Sequence, residues 1–386
     1  MRRKMATAII FAGVFSLLSD GSLQKAKSPQ KIEDPKNLAV CVNTDKPQGP
    51  PISLEFKEDL VITHEAWTPW DVQVDAAGNI FVFAGPDRTL RKFDPQGMEI
   101  ASWPLKKGQG PGEFQLIDAH VLSDGSLYIY DGSQRRLTVL NPKGEVQEIR
   151  KMDFWGMLFG MDSRRNIYVL DVRFLVGTRD RQRLVFAKHA PSGELLAEMA
   201  EYLWGLTYEP ATRKYLAKLF PPQMKYAVDT RDVVYYALSD AYEIRVLSPE
   251  GTLVRKIVKK SPARKTTQKD IDKKLSLYSE GSRANFYDFD IPDSMPAIAA
   301  LFPLENAGLL AVTFESPADA KSLFGDVFDA GGVFRGRVQV PVFDGWDGLM
   351  APSLPRAACR GNYFYAIVTD EAEETYFVKR YKIIWK

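Results

Sequence analysis

The hydrophobic positions of this chain fall into short dense runs separated by turn residues. In "NIFVFAG" (Asn79 to Gly85) and "SLYIYDG" (Ser126 to Gly132) four apolar residues stand in a row. Strict alternation would leave one strand face in water, whereas unbroken runs describe strands covered on both faces. The runs also repeat. "VQVDAAGNIFVFAGPDRTLRKFDPQGMEI" (Val72 to Ile100) aligns with "AHVLSDGSLYIYDGSQRRLTVLNPKGEVQEI" (Ala119 to Ile149). Both read strand, Gly-containing turn, aromatic strand, polar turn, strand, then Pro-x-Gly. Gly78 and Gly125 are 47 residues apart, and so are Gly97 and Gly144.

The pattern continues with drift. Gly193 and Gly251 mark a third and a fourth copy, "LFPLENAGLLAVTFE" and "VFDAGGVFRGRVQV" a degraded fifth, and "PRAACRGNYFYAIVTDEAEETYFVKRYKII" a sixth. Phe174 to Arg183 lengthens the third copy. Pro262 to Ala297 separates the fourth from the fifth, and its stretch "TTQKDIDKKLSLYSEGS" predicts a helix capped by Thr267. A period near ~40–50 residues with three or four strands per copy is that of propeller blades. The expected fold is all-β: a six-bladed β-propeller of four-stranded antiparallel blades over residues 52–386, with one partly helical insert at about 262–297. Leu54 to Ile62 precede the first copy unassigned, and are expected to close the ring by pairing with the outer part of the last blade.

One connector is specialised. "GQGPGEF" (Gly108 to Phe114) joins the end of the first copy to the start of the second. Pro-Gly suits the central positions of a type II turn, and Phe114 is expected to anchor the loop between blades. "GQGPGEF" followed by "SDGSLYIYDGSQRRLTVLNPKGE" resembles the bacterial, mostly exported six-bladed β-propeller proteins related to NHL-repeat proteins. Those proteins carry G-x-G-P-G-E-F connectors. The resemblance spans about residues 52 to 386 and is sharp in the first two copies. It implies a fold and an exported role in binding a ligand or a protein, and no established chemistry.

Composition narrows the function further. Lys+Arg 51 against Asp+Glu 49 leaves a net charge of +2, so no global field points to nucleic acid. Cys41 and Cys359 exclude a disulfide framework or a four-cysteine zinc site. Arg2, Arg3 and Lys4 followed by the apolar run Met5 to Leu18 read as an export signal over residues 1–20, too short for a comfortable membrane span. Cys41 lies too far downstream for a lipid anchor. Residues 21–51 read as a flexible tether, and no transmembrane span is expected after signal removal. The protein is expected to be a monomer in the periplasm or outside the cell.

Inner strands of a propeller line its channel, so equivalent positions of the copies converge there. Aligned on the first turn of each copy, one column reads Asp71, Asp118, Leu158, Lys225, Leu301 and Leu354. The column two residues later reads Gln73, His120, Gly160, Ala227, Pro303 and Arg356. The candidate ligand-binding set is therefore Asp71, Gln73, Asp118, His120, Lys225 and Arg356. A calcium site needs several oxygen ligands converging on the axis. Only Asp71, Asp118 and Gln73 supply them, against two cations, so neither a metal nor a cofactor is expected. The reading favours a binding or scaffolding protein for a small polar ligand or a partner protein, over a lactonase-like hydrolase or lyase using the carboxylates.

Overall fold

The computed structural model describes residues 30–31, 34–64, 67–85, 88–115, 117–174, 182–203, 205–305, 308–317, 322–345, 356–370 and 375–386. The stretch expected as an export signal lies outside them, as does most of the insertion at Phe174 to Arg183. The rest is nearly all β, with two short helices. Among the described residues, six sheets each contain four antiparallel strands, in chain order in five of them. This is the arrangement of a β-propeller.

The first sheet is Thr68–Val74, Ile80–Gly85, Thr89–Phe93 and Glu99–Pro104; the second is Ile117–Val121, Leu127–Asp131, Arg136–Leu140 and Val146–Lys151. The third runs from Gly156–Met161 through Ile167–Phe174 and Gln182–His189 to Leu195–Leu203. The fourth runs from Met224–Val228 through Val234–Leu238 and Glu243–Leu247 to Leu253–Lys259. Ile298–Leu304, Gly308–Thr313, Ser322–Phe328 and Phe334–Pro341 form the fifth. Ala357–Arg360, Tyr363–Asp370 and Thr375–Trp385 form the sixth with Leu54–Ile62 as its outer strand.

The unbroken apolar runs now have a cause. In the strand Ile80–Gly85, Phe81 and Phe83 pack against Ala119, Leu127 and Ile129 of the second sheet. Ile80, Val82 and Ala84 pack the other way, against Tyr365, Ile367 and Val378 of the sixth. Leu127 and Ile129 likewise face the first sheet, while Tyr128 and Tyr130 face Ile167 and Val169 of the third. Successive side chains of a strand point to opposite faces, so a sheet wedged between two others needs apolar residues at every position. The remaining interfaces follow in order, from Phe186 against Tyr236, through Tyr235 against Leu309, to Phe302 against Phe364. The last sheet thus packs on the first, and the ring of interfaces closes.

Closure is also made by backbone hydrogen bonds, because a strand from before the first repeat completes the last sheet. Leu54–Ile62 pairs antiparallel with Thr375–Trp385, from Trp385 opposite Leu54 to Val378 opposite Ile62. This is the pairing expected from the sequence.

The turns explain the repeat spacing. Gly78 and Gly125 hold φ of +82° and +80°, the left-handed region that costs other residues most. In the third and fourth sheets Arg165 and Asp232 occupy this place at φ +66° and +63°. The turn opens on Asp in the first, third and fourth sheets and on Leu122 in the second. Asp75, Asp162 and Asp229 each accept a hydrogen bond from the backbone amide four residues on. That bond fixes the turn whichever residue takes the strained position.

In the connector, the Glu113 amide donates to the Gly110 carbonyl at 3.1 Å and Gly112 has φ +72°, so Pro111 and Gly112 occupy the centre of the expected turn. Phe114 is buried between the first and second sheets. The Glu113 carboxylate folds back onto its own loop, accepting from the Gly110 amide at 2.9 Å. A Cβ at Gly108 would lie 2.1 Å from that carboxylate. The glycines therefore make room for Glu113, and the loop is a rigid joint.

The segments outside the sheets are more ordered than their composition suggests. Within the lead-in expected to be a flexible tether, Ala39–Asn43 forms a strand, added parallel to the outer edge of the fourth sheet at Leu253–Lys259. Its β-branched Val40 and Val42 suit that edge. Asn43 fastens it, donating to the Gly332 carbonyl at 3.0 Å and accepting from the Phe334 amide at 2.8 Å. The insert holds the helix Gln268–Leu275, with Thr267 as its cap in a reciprocal capping box with Asp270. It lies outside the four-stranded sheets but not free of them, since Ile271, Leu275 and Phe289 pack on the core between the fifth and sixth sheets. A second insert went unread in the sequence. Lys214–Lys218 is the centre of a three-stranded sheet, antiparallel to Leu206–Glu209 and parallel to Tyr287–Asp290 of the first insert.

Candidate functional site

Residues from the inner strand of every four-stranded sheet line one cavity of about 270 Å³. Asp71, Gln73, His120, Gly160, Ala227, Leu301 and Pro303 of the two sequence columns are in its wall. Hairpin registers confirm that these positions are level: Gln73, His120, Gly160 and Ala227 each stand one residue in from the last pair before the turn.

The sixth copy departs from the alignment by three residues. Its hairpin pairs Arg360 with Tyr363, so only Gly361 and Asn362 form the turn, where the first four copies use five residues. The equivalents of Asp71 and Gln73 are therefore Ala357 and Cys359, not Leu354 and Arg356. Leu354 lies outside the described residues. Arg356 precedes the strand, with its guanidinium 3.9 Å from Asp344, and its charge still reaches Asp71.

Polar groups enclosed in a fold need partners, and following each partner separates structural groups from available ones. Gln73 is fully engaged. Its amide nitrogen donates to Asp71 at 2.6 Å and to the Ala119 carbonyl at 2.7 Å, and its oxygen accepts from the Val121 amide at 2.7 Å. It bonds the first sheet to the second. His120 does the same one sheet on, through a hydrogen bond to the backbone of Met161. Burial pushes its imidazole down to about 4, against that bond and the charge of Asp162, so it is neutral at neutral pH. Ser163 bonds the third sheet to the fourth, donating from its amide and hydroxyl to Asp232 at 2.8 and 2.6 Å. Lys225 is buried and donates to Gln223 at 2.8 Å. The next residue, Tyr226, points into the cavity in its place.

Three groups remain. The Asp118 carboxyl, the Tyr226 hydroxyl and the Arg360 guanidinium make no hydrogen bond or ion pair among the described residues. Tyr226 and Arg360 line the cavity, and Asp118 is close enough to Tyr226 and Asp71 for its charge to act on both. Burial, then the charge of Asp71, pushes Asp118 up to about 7. Asp71 is raised only to about 6, because Gln73, the Val72 backbone and Arg356 offset its burial. Burial and the two carboxylates also raise the Tyr226 phenol, which stays protonated and able to donate. Tyr226 reaches this place because residue 160 is glycine: a Cβ there would stand 2.5 Å from the Tyr226 hydroxyl. A small residue in a column of large ones was the signal for that intruding ring. Cys359 is also in the wall, and burial, then the charge of Glu305, raises its thiol, so it stays protonated.

The described residues hold no group of three or more His, Cys, Asp and Glu side chains arranged to hold a metal ion. No helix among them is long and apolar enough to cross a membrane.

The state of Asp118 has a consequence for stability. Its folded-state pKa lies above that of the unfolded chain, so between about pH 4 and pH 7 the folded protein keeps a proton that the unfolded chain has released. Stability from this group is present at low pH and is lost as pH rises through 7. Asp118→Asn does not titrate and should be more stable than the wild type at pH 8 by about 1–2 kcal/mol. Linkage of ~1.4 kcal/mol per pH unit is discounted here because Asp118 is only part-buried. Urea melts at pH 5 and pH 8 check it, with the difference at pH 5 expected to fall to about a third of its pH 8 value. Asp71, Arg356, Tyr130 and Tyr226 surround the site and are unchanged in the variant.

No protein-family model matches the chain, and no curated protein matches it. Solved structures do resemble it. A Bacteroides fragilis protein assigned as exported is 11% identical with a TM-score of 0.50, over 90% of this chain and 100% of that one. A member of family DUF4221 from Bacteroides vulgatus is 12% identical with a TM-score of 0.51, over 86% of this chain and 98% of that one. At this identity the likeness concerns the fold.

Proposed function

We propose that this protein is an exported six-bladed β-propeller of the cell envelope that holds a small polar ligand in its channel. One observation carries the reading: among the described residues, three polar side chains on three different sheets, Tyr226 and Arg360 in the cavity wall and Asp118 beside it, make no hydrogen bond or ion pair, while Gln73, His120 and Ser163 are used between sheets. The interface ring supports six blades, since each of the six sheets packs on the next and the sixth on the first. Export rests on the basic and apolar stretch from Arg2 to Leu18 and on the likeness to an exported Bacteroides protein. A cavity of about 270 Å³ is just below the range of sites for drug-sized molecules, about 300–1,000 Å³, and suits a smaller ligand.

Gly160→Ala tests the reading. The new methyl group meets only the far end of the Tyr226 side chain, so the phenol swings aside at little cost to the fold. Native mass spectrometry of protein purified from an envelope fraction should find a small molecule retained by the wild type and lost from this variant, with the melting temperature within a few degrees. A melt unchanged and no small molecule on either protein would sink the proposal. A second reading is favoured by the raised Asp118, since a carboxyl titrating near 7 is suited to general acid or base work. Consumption of the retained molecule by the wild type, and its loss in Asp118→Asn, would select an enzyme of hydrolase or lyase type instead.

A further inference from the structure

Resting on that channel reading, we infer that the ligand is an extended zwitterion, with an ammonium at one end and a carboxylate at the other, of the class of free di- and tripeptides. The three unpartnered groups differ in kind and in depth. Asp118 is opposite Tyr130 in its hairpin, level with Asp71 opposite Phe83, four positions in from the turn. Arg360 is opposite Tyr363, at the turn itself. Three residues of strand separate the two levels, about 10 Å at ~3.3 Å per residue. The channel therefore carries an anion deep and a cation at the mouth. Asp71 is already held by Gln73 and balanced by Arg356, which leaves Asp118 as the anion for an incoming cation. The ring and hydroxyl of Tyr226 flank that place, and an ammonium near an aromatic face gains further attraction. Glu305, which accepts from the Gly361 amide at 3.1 Å, makes no ion pair with Arg360. A guanidinium suits a carboxylate, which it can meet through two parallel hydrogen bonds.

Length selects the class. Two or three extended residues span up to about 7–11 Å, which matches the separation of the levels once the reach of Arg360 is allowed for. A single amino acid is too short to touch both ends. A neutral sugar would leave Asp118 and Arg360 without their opposite charges.

Titration calorimetry on the full-length protein, with glycine, diglycine, triglycine, N-acetyl-diglycine and diglycine amide as probes, tests this. Diglycine or triglycine should bind, and glycine should not. Blocking either terminus should weaken binding at least tenfold. Asp118→Asn should remove the penalty for N-acetylation, and Arg360→Gln the penalty for amidation, each lowering the affinity of the free peptide at least tenfold. Arg360→Lys keeps the charge and should retain part of it, and melting curves establish that each variant is folded. Equal binding of blocked and free peptides would overturn the inference. So would failure of every peptide while native mass spectrometry still finds a small molecule lost on Gly160→Ala, an outcome that leaves the channel reading standing. Failure of both experiments would overturn both readings.

Discussion

A chain that begins at Trp67 should not unfold cooperatively. It lacks Leu54–Ile62, the strand that completes the sixth sheet and contributes to two interfaces of the ring. Leu54 is buried in the core between the fifth and sixth sheets, and Ile62 in the core between the sixth and the first. Full burial of an aliphatic side chain is worth about 1.5–3 kcal/mol, so these two alone supply about 3–6 kcal/mol. Total stabilities of folded domains run about 5–15 kcal/mol. Deletion also exposes the hydrogen-bonding edge of Thr375–Trp385, an eleven-residue strand, to pairing with other chains. The ion pairs Lys379–Glu58 at 2.9 Å and Arg380–Asp59 at 3.0 Å add less, being part-exposed to screening by solvent. Calorimetry and light scattering check the expectation. The truncated chain should give a broad transition with little enthalpy and should self-associate. A single sharp transition at the wild-type temperature would show that the ring does not depend on its N-terminal strand.

That strand was legible because the ring offered it one place. The sequence placed a strand pattern before the first repeat and left the last repeat short of an outer strand, and a closed sheet follows from the two together. The inner columns were legible for the same reason in the first four copies, where the five-residue turn gives a constant frame. The frame fails in the sixth copy, where the two-residue Gly361-Asn362 turn moves the equivalent residues to Ala357 and Cys359. Side-chain roles were harder to read than positions. Gln73 and His120 stand where the alignment puts them, yet both are engaged between sheets, a fact set by the backbone of the neighbouring sheet more than 40 residues away. Tyr226 is one residue off the column and enters only because Gly160 leaves space. The strand Ala39–Asn43 was read as tether because its parallel partner is more than 200 residues distant and nothing local specifies it. Its own residues, Val40 to Asn43, carried the only hint.

Asp326→Ala should cost about 3–5 kcal/mol, the largest loss expected from a single side chain away from the apolar core. Asp326 is fully buried in the fifth sheet and faces the fourth. It accepts from Lys259 at 2.8 Å, Tyr242 at 2.7 Å and Arg337 at 2.8 and 3.3 Å. Burial alone would raise this carboxyl. The Arg337 hydrogen bond and the charges of Lys259 and Arg337 outweigh that and hold it below the ordinary range. Its stabilisation is therefore complete above about pH 4 and is lost as pH falls through its lowered folded pKa. Removing the carboxylate leaves the Lys259 ammonium, whose side chain is 1% exposed, without its closest counter-charge. Asp45 at 3.5 Å is half in water and replaces it poorly. Breaking one side of a buried pair costs more than the pair contributes, because the remaining charge is stranded. Urea titration at pH 7 measures the loss. The double variant Asp326→Leu with Lys259→Met should recover most of it, since neither charge then remains to be solvated, and Arg337 keeps Glu315 as its partner. If the single variant lost less than about 1 kcal/mol, Lys259 would have to reach water by a path along the second cavity beside Ser261 and Arg264. The fourth and fifth sheets would then be joined by their apolar contacts and the bonds of Asn43.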